Sequence, residues 1–229
     1  MIEYLINSRP GKLHTFLNPY SYLLARKNKD IFSNFSEIHF DGIVLCVVAK
    51  IFGIKKDRTS FDMTSLAPLV MQDASEKGKS IYIIGSDPGL AIIAANNLTA
   101  IYSNLKIVGL RHGYFSSLEE REQVIHDISC LNPDIVIAGM GTPHQEKLLV
   151  DLTLTGWSGT GYTCGGFIHQ TAKSGAKYYP LLFDKLNLRW LYRIYDEPKL
   201  LKRYVFEYPK FFYFFIADYR SYKKSLNRK

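Results

Sequence analysis

Short apolar runs alternate with helical patterns over most of the chain. The apolar runs predict five β-strands, at residues 37–40, 80–85, 106–110, 133–138 and 160–164. Helical patterns are found at 17–28, 43–52, 88–102, 118–131 and 143–152, and another follows residue 166. Because the strands are continuously apolar rather than alternating, we expect both of their faces to be buried, which is typical of parallel strands joined by helices. The pattern predicts an α/β fold with a Rossmann-like, mostly parallel sheet flanked by helices.

The alternation stops near Pro180, where the chain changes character. We expect an α/β domain over residues 1–184 and a helical appendage over residues 185–229. The formal net charge of +8 belongs wholly to the appendage, which carries 12 Lys+Arg against 4 Asp+Glu, whereas residues 1–184 carry 17 of each. Thirteen of the 32 aromatic residues also lie between Trp190 and Tyr222. A basic, aromatic tail is compatible with a nucleic-acid arm, a membrane-surface anchor or a partner-docking helix.

Composition excludes several classes of protein. With 22% charged residues and a mean hydropathy of −0.08, the 229-residue chain is neither disordered nor a polytopic membrane protein. Cys46, Cys130 and Cys164 lie in apolar stretches without a C-x-x-C pair, which predicts reduced, buried thiols and a cytoplasmic protein. Residues 1–24 contain no continuous apolar segment, so we expect no secretory signal peptide.

Glycine-rich loops follow most of the predicted strands. In an open parallel sheet ligands bind at the carboxyl ends of the strands, and glycines let backbone amides approach a phosphate. We therefore expect a nucleotide or nucleotide-sugar site, although glycines that only turn the chain would give the same pattern. The glycines that we assign to this site are Gly85, Gly139, Gly141, Gly165 and Gly166.

Several familiar catalytic motifs are absent from the sequence. It contains no G-x-x-x-x-G-K-[ST], no G-x-G-x-x-G opening a βαβ unit and no G-x-S-x-G, which argues against P-loop NTPases, nicotinamide dehydrogenases and α/β-hydrolases. The six histidines are scattered without zinc-ligand spacing, and no Asp-x-Asp is present to hold a divalent ion against a diphosphate. We therefore expect neither a metal nor another cofactor.

Two polar positions are candidates for chemistry. Asp41 ends an apolar strand and precedes the apolar helix 43–52, so its carboxylate is either a partly desolvated general base or the N-cap of that helix. Gln145 and Glu146 follow a Gly–Pro turn and either hydrogen-bond a sugar or base, or simply favour the helix dipole.

The order of motifs resembles the WecG/TagA/CpsF glycosyltransferase family over residues 18–204. The most specific parts are a G-x-P-x-Q-E loop at 141–146 and a W-L-Y-R…E-P…R-Y stretch at 190–204. The remaining matching segments are Asp41-Gly42, Gly85…Pro88-Gly89, Gly113-Tyr114-Phe115, Pro133-Asp134 and Gly165-Gly166. The departures include Phe167 where an Asp usually follows the Gly-Gly pair, and Arg58-Thr-Ser-Phe-Asp62 in place of R-V-x-G-x-D.

This resemblance implies a metal-independent, inverting transferase that moves a sugar from a UDP-sugar to a polyprenyl-diphosphate-linked saccharide during cell-surface polysaccharide synthesis. The donor would be of the UDP-glucose or UDP-N-acetylmannosamine type. Asp41 would be the catalytic base, and Asn18 would line the active site. The other implied substrate contacts are Pro143 within its loop, Gln145, Glu146, and the diphosphate-binding Arg193 and Arg203. The departures from the family pattern leave the identity of the sugar open.

The resemblance also bears on the tail. The apolar run 211–217 is seven residues long, too short for the ~20 residues that a bilayer-spanning helix needs. Because basic residues flank this run, residues 199–229 are expected to lie on the anionic inner face of the cell membrane, with no nucleic-acid partner. Packing on the body or on a second copy in a homo-oligomer is the alternative for the tail. The alternative for the whole protein is a non-catalytic nucleotide-sugar-binding or membrane-adaptor protein of a polysaccharide assembly complex.

Overall fold

A computed structural model describes residues 1–7, 11–175 and 189–227 of the chain. Its centre is one six-stranded sheet in which every neighbouring pair of strands is parallel, in the order β2-β1-β6-β5-β3-β4. The strands are β1 (Leu13–Leu17), β2 (Glu37–Phe40), β3 (Ser80–Gly85), β4 (Lys106–Arg111), β5 (Ile135–Gly139) and β6 (Thr160–Thr163). The predicted α/β fold with a parallel sheet is confirmed.

Helices connect the strands and cover both faces of the sheet. Those of the α/β domain are α1 (Ile2–Ile6), α2 (Pro19–Lys27), α3 (Lys29–Phe32), α4 (Ile43–Ile51), α5 (Leu66–Lys77), α6 (Leu90–Ile101), α7 (Leu118–Leu131), α8 (His144–Leu154) and α9 (Phe167–Ser174). The appendage contributes α10 (Arg189–Asp196), a 3₁₀ turn (Pro198–Leu200), a π-helical turn (Arg203–Glu207) and α11 (Tyr208–Leu226). The expected boundary at residues 184 and 185 lies outside the described residues.

Four of the described elements of the α/β domain were not predicted from the sequence, namely α1, β1, α3 and α5. Strand β1 has a short Leu-His-Thr-Phe-Leu sequence that merges with the helical pattern of α2, and α5 mixes apolar with polar positions at a modest amphipathicity. Helix α6 begins at Leu90 rather than at Pro88, because Gly89 adopts a left-handed conformation with a φ of 85°. The sequence therefore predicts most of the layer order, and it misses the strand that pairs with both β2 and β6.

Two buried clusters hold the helices against the sheet. One face carries Leu17, Phe40 and Val136, which pack against α1–α4, α7, α8 and α11. The other face carries Ile83 and Ile137, which pack against α5, α6 and α9. Burial on both faces explains why the strands are continuously apolar. The prediction that all three thiols are buried is wrong for Cys130, which lies exposed on the outer face of α7.

The appendage packs on the α/β domain through one face of α11. Phe211 and Phe215 are fully buried against Tyr22 of α2, with ring centroids 5.3 and 5.5 Å from the tyrosine ring. These two side chains complete the core beside α2, so for them the alternative that the tail packs on the body is confirmed. Within the described residues, no helix is both long enough and apolar enough to cross a membrane.

Candidate active site

A cavity of about 600 Å³ opens at the carboxyl ends of the strands. Its walls come from the loops that follow all six strands and from the segment between α4 and α5. The appendage closes it from one side through α10, the π-helical turn and the start of α11. This is the position at which an open parallel sheet binds its ligands. Eight of the sequence-predicted site residues line it: Asn18, Asp41, Gly141, Gln145, Gly165, Gly166, Arg193 and Arg203.

Asp41 lies at the floor of the cavity, directly after β2. Its backbone N–H donates to Leu17 O at 2.8 Å, which fixes the position of the residue against β1. Helix α4 has Gly42 as its N-cap and receives no side-chain cap hydrogen bond, so the alternative of Asp41 as a helix cap is wrong. Burial raises the pKa of the Asp41 carboxyl, and the nearby Asp62 carboxylate raises it further. A carboxylate that is partly desolvated and not used as a cap suits proton transfer.

Arginines oppose this rise from several directions. The charges of Arg193, Arg58 and Arg189 each act to lower the pKa of Asp41, and all three side chains line the cavity. Arg189 Nη1 donates to Asp62 Oδ2 at 3.2 Å, which ties α10 to the segment between α4 and α5. Three guanidinium groups therefore share the cavity with Asp41, and the guanidinium fork matches the geometry of phosphate oxygens.

Asp62 is held by its own segment as well as by Arg189. Its carboxylate accepts hydrogen bonds from the Ser60 hydroxyl at 2.7 Å and from the Thr64 backbone N–H at 2.8 Å. Asp62 is thus a structural anchor of the appendage, whereas no hydrogen bond to the Asp41 carboxylate is found within the described residues.

Asn18 has two roles at the end of β1. Its side-chain oxygen accepts hydrogen bonds from the backbone N–H groups of Tyr20 and Ser21, both at 3.0 Å, and so caps α2. The same residue lines the cavity beside Gly42. Arg203 of the appendage stacks on the Tyr20 ring, with its guanidinium carbon 4.5 Å from the ring centroid. The beginning of α2 therefore supports the arginine that faces the cavity.

The side chains of Gln145 and Glu146 point in different directions, although the two residues are adjacent in sequence. Gln145 lines the cavity, and its Oε1 accepts from the Gly165 N–H at 3.3 Å. Glu146 is fully buried beneath it, where Oε1 accepts hydrogen bonds from Thr15, Thr142 and Gln145 at 3.0, 3.1 and 3.0 Å. Burial raises the pKa of the Glu146 carboxyl. Glu146 thus holds Gln145 and does not itself reach the cavity.

Comparison with known proteins adds to this geometry. The sequence profile of the glycosyl transferase WecG/TagA/CpsF family matches residues 1–225. The chain belongs to the WecG/TagA/CpsF glycosyltransferase family. It is therefore a glycosyltransferase whose donor is a nucleotide sugar, and this membership favours the enzyme over the alternative of a non-catalytic binding or adaptor protein.

Two relatives of this WecG/TagA/CpsF family member have named activities. It is 37% identical over 215 residues to the UDP-Gal:alpha-D-GlcNAc-diphosphoundecaprenol beta-1,4-galactosyltransferase of Shigella boydii, covering 93% of this chain and 90% of the relative. It is 26% identical over 211 residues to the N-acetylglucosaminyldiphosphoundecaprenol N-acetyl-beta-D-mannosaminyltransferase of Bacillus subtilis (strain 168), covering 88% of this chain and 80% of the relative.

The remaining predicted site residues of this family member lie behind the cavity wall. A Cβ on Gly85 would meet Gly139 O at 2.3 Å, and one on Gly139 would meet Cys164 Sγ at 2.7 Å. Both glycines therefore permit close packing between strands. Pro143 follows a cis peptide bond and is the N-cap residue of α8. Gly166 differs from these three, because a Cβ there would lie 3.0 Å from Arg193 Nη2 in the cavity.

Several residues that line the cavity of this glycosyltransferase were not predicted from the sequence. Arg58 and Asp62 stand in a segment that departs from the family pattern, and neither was assigned to the site. Tyr204 and Tyr208 of the appendage also line the cavity, with their rings 4.6 Å apart, and burial raises the pKa of both phenols. Spacing alone could not find them, because the appendage reaches the cavity only through tertiary packing.

Proposed function

We propose that this protein transfers a hexose or an N-acetylhexosamine from a UDP-sugar to a polyprenyl-diphosphate-linked N-acetylglucosamine, with inversion at the anomeric carbon. The names of both relatives contain the same acceptor, N-acetylglucosamine on diphosphoundecaprenol. The name of the relative with 37% identity specifies UDP-Gal and a β-linked product. UDP-galactose is therefore the first donor to test, beside UDP-glucose and UDP-N-acetylmannosamine.

The observation that carries the proposal is the position of Asp41. A carboxylate on the floor of the cavity faces a wall that carries Arg58, Arg189 and Arg193. In the proposed reaction Asp41 accepts the proton of the acceptor hydroxyl while the hydroxyl oxygen forms a bond to the anomeric carbon. The bond from that carbon to the diphosphate breaks, and UDP leaves with the electron pair. General-base assistance of this kind contributes about 10²–10⁴-fold to a rate.

The arginines are proposed to stabilise the departing diphosphate without a divalent ion. The Arg193 guanidinium lies close to Gly166 at the edge of the cavity. The Arg203 guanidinium stacks on the Tyr20 ring. Bidentate guanidinium–phosphate pairs are strong and directional, and they place positive charge where negative charge develops on the leaving group. Gln145 and the backbone amide of Gly166 would complete the donor site.

Replacement of Asp41 tests the role of the base. Asp41→Asn should lower kcat by about 10²–10⁴-fold, because the amide cannot accept the proton. UDP binding, measured by calorimetry, should change little. Asp57→Asn is the matched control, because Asp57 is exposed and does not line the cavity. If Asp41→Asn retained more than a tenth of the wild-type kcat, the proposed role of Asp41 would be wrong.

The metal-free character and the substrates need separate measurements. We expect the initial rate to be independent of added magnesium, and a rate that only magnesium restores after EDTA treatment would contradict the arginine-based account. A UDP-release assay over the three donors, with an N-acetylglucosaminyl-diphosphopolyprenol acceptor, identifies the sugar. Failure of all three donors with that acceptor would refute the substrate assignment.

The outer face of the appendage is proposed to contact the anionic inner surface of the cell membrane. Phe206, Phe212 and Tyr213 remain 62%, 43% and 71% exposed although α11 is docked. Because the acceptor is lipid-linked, contact of this face with a membrane would bring the cavity near its substrate, and basic residues add about 1 kcal/mol each at an anionic surface.

Flotation with anionic vesicles tests the membrane contact. The double variant Phe212→Ser/Tyr213→Ser should lose flotation and keep its fold. Leu154→Ser is the control, because Leu154 is 79% exposed at the end of α8, outside the appendage. Equal flotation of the wild type and the double variant would contradict the proposal.

A further inference from the structure

Three potential metal ligands come together on the two strands at one edge of the sheet. His14 of β1 pairs in register with Glu37 of β2, and His39 follows two residues later on the same face of β2. In a parallel pair this register places all three side chains on one side. The six histidines show no zinc spacing in sequence, because the ligands belong to strands joined by a long crossover.

One atom from each side chain takes part in the cluster. His14 Nδ1 lies 3.3 Å from His39 Nε2, and Glu37 Oε2 lies 3.8 Å from the first nitrogen and 3.7 Å from the second. The circle through these three atoms has a radius of about 2.1 Å, the bond length that Zn²⁺ makes to imidazole nitrogen and carboxylate oxygen. An ion at the centre would thus reach all three ligands without rearrangement of the strands.

The surroundings hold the ligands in place and leave room for a further one. His39 stacks on Phe16 and His14 stacks on Tyr162, with ring centroids 4.7 and 4.9 Å apart. The three side chains are only 13–36% exposed, so they are partly desolvated and still open to a water as fourth ligand. Lys56 is the neighbouring cation, and its ammonium donates to the Ile38 carbonyl at 2.9 Å.

The donor set suits a ligand role, because imidazole nitrogen and carboxylate oxygen are both zinc ligands. Two imidazoles and one carboxylate favour first-row transition metals over magnesium.

We propose that His14, Glu37 and His39 form a structural site for a divalent transition-metal ion of the zinc type that joins β1 to β2. Among the described strands, β2 is an edge strand bonded to β1 alone, and Asp41 directly follows it. A metal bridge therefore fixes the strand that carries the proposed base. The ion takes no part in sugar transfer, because the ring of Phe16 separates the cluster from the cavity.

Calorimetric titration of Zn²⁺ into the full-length, EDTA-treated protein tests the site. We expect one equivalent to bind and to raise Tm, and Co²⁺ to give a four-coordinate spectrum without a thiolate band. His39→Gln should weaken Zn²⁺ binding by about 100-fold or more, since loss of a direct ligand exceeds the 10–100-fold effect of outer partners. Millimolar magnesium should not compete.

A pair of neighbouring His and Cys side chains on the surface provides the control. Cys130 Sγ lies 3.6 Å from His126 Nε2 on the exposed face of α7. The double variant His126→Gln/Cys130→Ser should bind zinc as the wild type does. If this variant loses binding while His39→Gln retains it, the proposal is overturned.

Two further outcomes are decisive. Wild-type protein that takes up no Zn²⁺ at millimolar concentration would show that the cluster is only a hydrogen-bonded His–His–Glu group. If His39→Gln does not fold, Glu37→Ala replaces it, because Glu37 is the most exposed of the three ligands. Unchanged zinc binding by a folded Glu37→Ala protein would also overturn the proposal. None of these measurements depends on transferase activity.

Discussion

Helix α11 is attached to the α/β domain by an ion pair whose loss should loosen the whole appendage. Asp218 accepts hydrogen bonds from Arg26 Nε at 2.6 Å, Arg26 Nη2 at 3.0 Å and the Tyr22 hydroxyl at 2.7 Å. The Asp218 side chain is 13% exposed and that of Arg26 is 24% exposed. Asp218→Ala removes all three bonds and leaves the guanidinium partly buried without its partner.

The cost of this change follows from the burial of the pair. Breaking a fully buried ion pair costs about 3–5 kcal/mol, and hydrogen bonds to charged groups contribute about 1.5–3 kcal/mol. Because both groups retain some contact with water, we expect the free energy of unfolding to fall by about 2–3 kcal/mol. For a domain of this size that corresponds to a decrease in Tm of roughly 5–10 °C.

Urea unfolding and limited proteolysis of α11 measure the effect. Glu207→Gln is the control on the same part of the chain, since the Glu207–Lys210 pair is exposed and should contribute less than about 0.5 kcal/mol. The apparent donor affinity of Asp218→Ala should fall with the fraction of undocked appendage, because Arg203 and Tyr208 leave the cavity together with it.

The pH dependence gives an independent test of the same pair. Burial alone would raise the pKa of Asp218, but hydrogen bonds from Arg26 and Tyr22 outweigh it and hold the pKa below its ordinary value. A depressed carboxyl pKa stabilises the folded state above the ordinary value of about 3.9, and this stabilisation disappears as the pH falls through the depressed value. The difference between the wild type and Asp218→Ala should therefore be constant from pH 8 to 5 and shrink below about pH 4. A difference under 0.5 kcal/mol at pH 7 would refute this reasoning.

Three more changes have defined expectations. Gly85→Ala should lower the free energy of unfolding in urea by about 3 kcal/mol or more, because its Cβ would lie 2.3 Å from backbone and φ is +146°. Gly89→Ala should lower it by about 1 kcal/mol, because its Cβ would face open space. Burial raises the pKa of Glu146, so ionising this carboxyl in the folded wild type is unfavourable. The free energy of unfolding of Glu146→Gln should therefore rise relative to that of the wild type as the pH increases. A difference that does not depend on pH would contradict this expectation. Asp62→Asn should weaken the bond to Arg189 and raise the donor KM by about tenfold; an unchanged KM would show that the bond does not support the donor site.

The strands of the sheet were predictable where apolar runs were long or bounded by glycine. The prediction for β3 matches its observed residues, and that for β5 differs by two residues at its start. Strand β1 was missed because His14 and Thr15 interrupt its apolar run. Both are polar for a reason that only the fold reveals, since Thr15 donates to the buried Glu146 and His14 meets His39.

The candidate site was predictable to the extent that it follows the ends of strands. Asp41 and Gln145 were found because the strand, the turn and the following helix are contiguous in sequence. Glu146 was assigned to the substrate site through the family resemblance together with Gln145, although adjacent side chains leave a helix in different directions. Arg58 could not be identified as a cavity residue without the tertiary structure, because nothing in its local pattern indicates that α10 will pack opposite it.

The cavity is built from segments that are far apart in the sequence, so its parts are synthesised at different times. Asp41 and Arg203 are separated by 162 positions in the chain, and all of β3, β4, β5 and β6 lie between them. During synthesis Asp41 and Arg58 therefore emerge long before the arginines of the appendage. A nascent chain that has completed the sheet still lacks Arg193 and Arg203 and should bind the proposed donor weakly. We expect full donor affinity only after α11 has docked on α2.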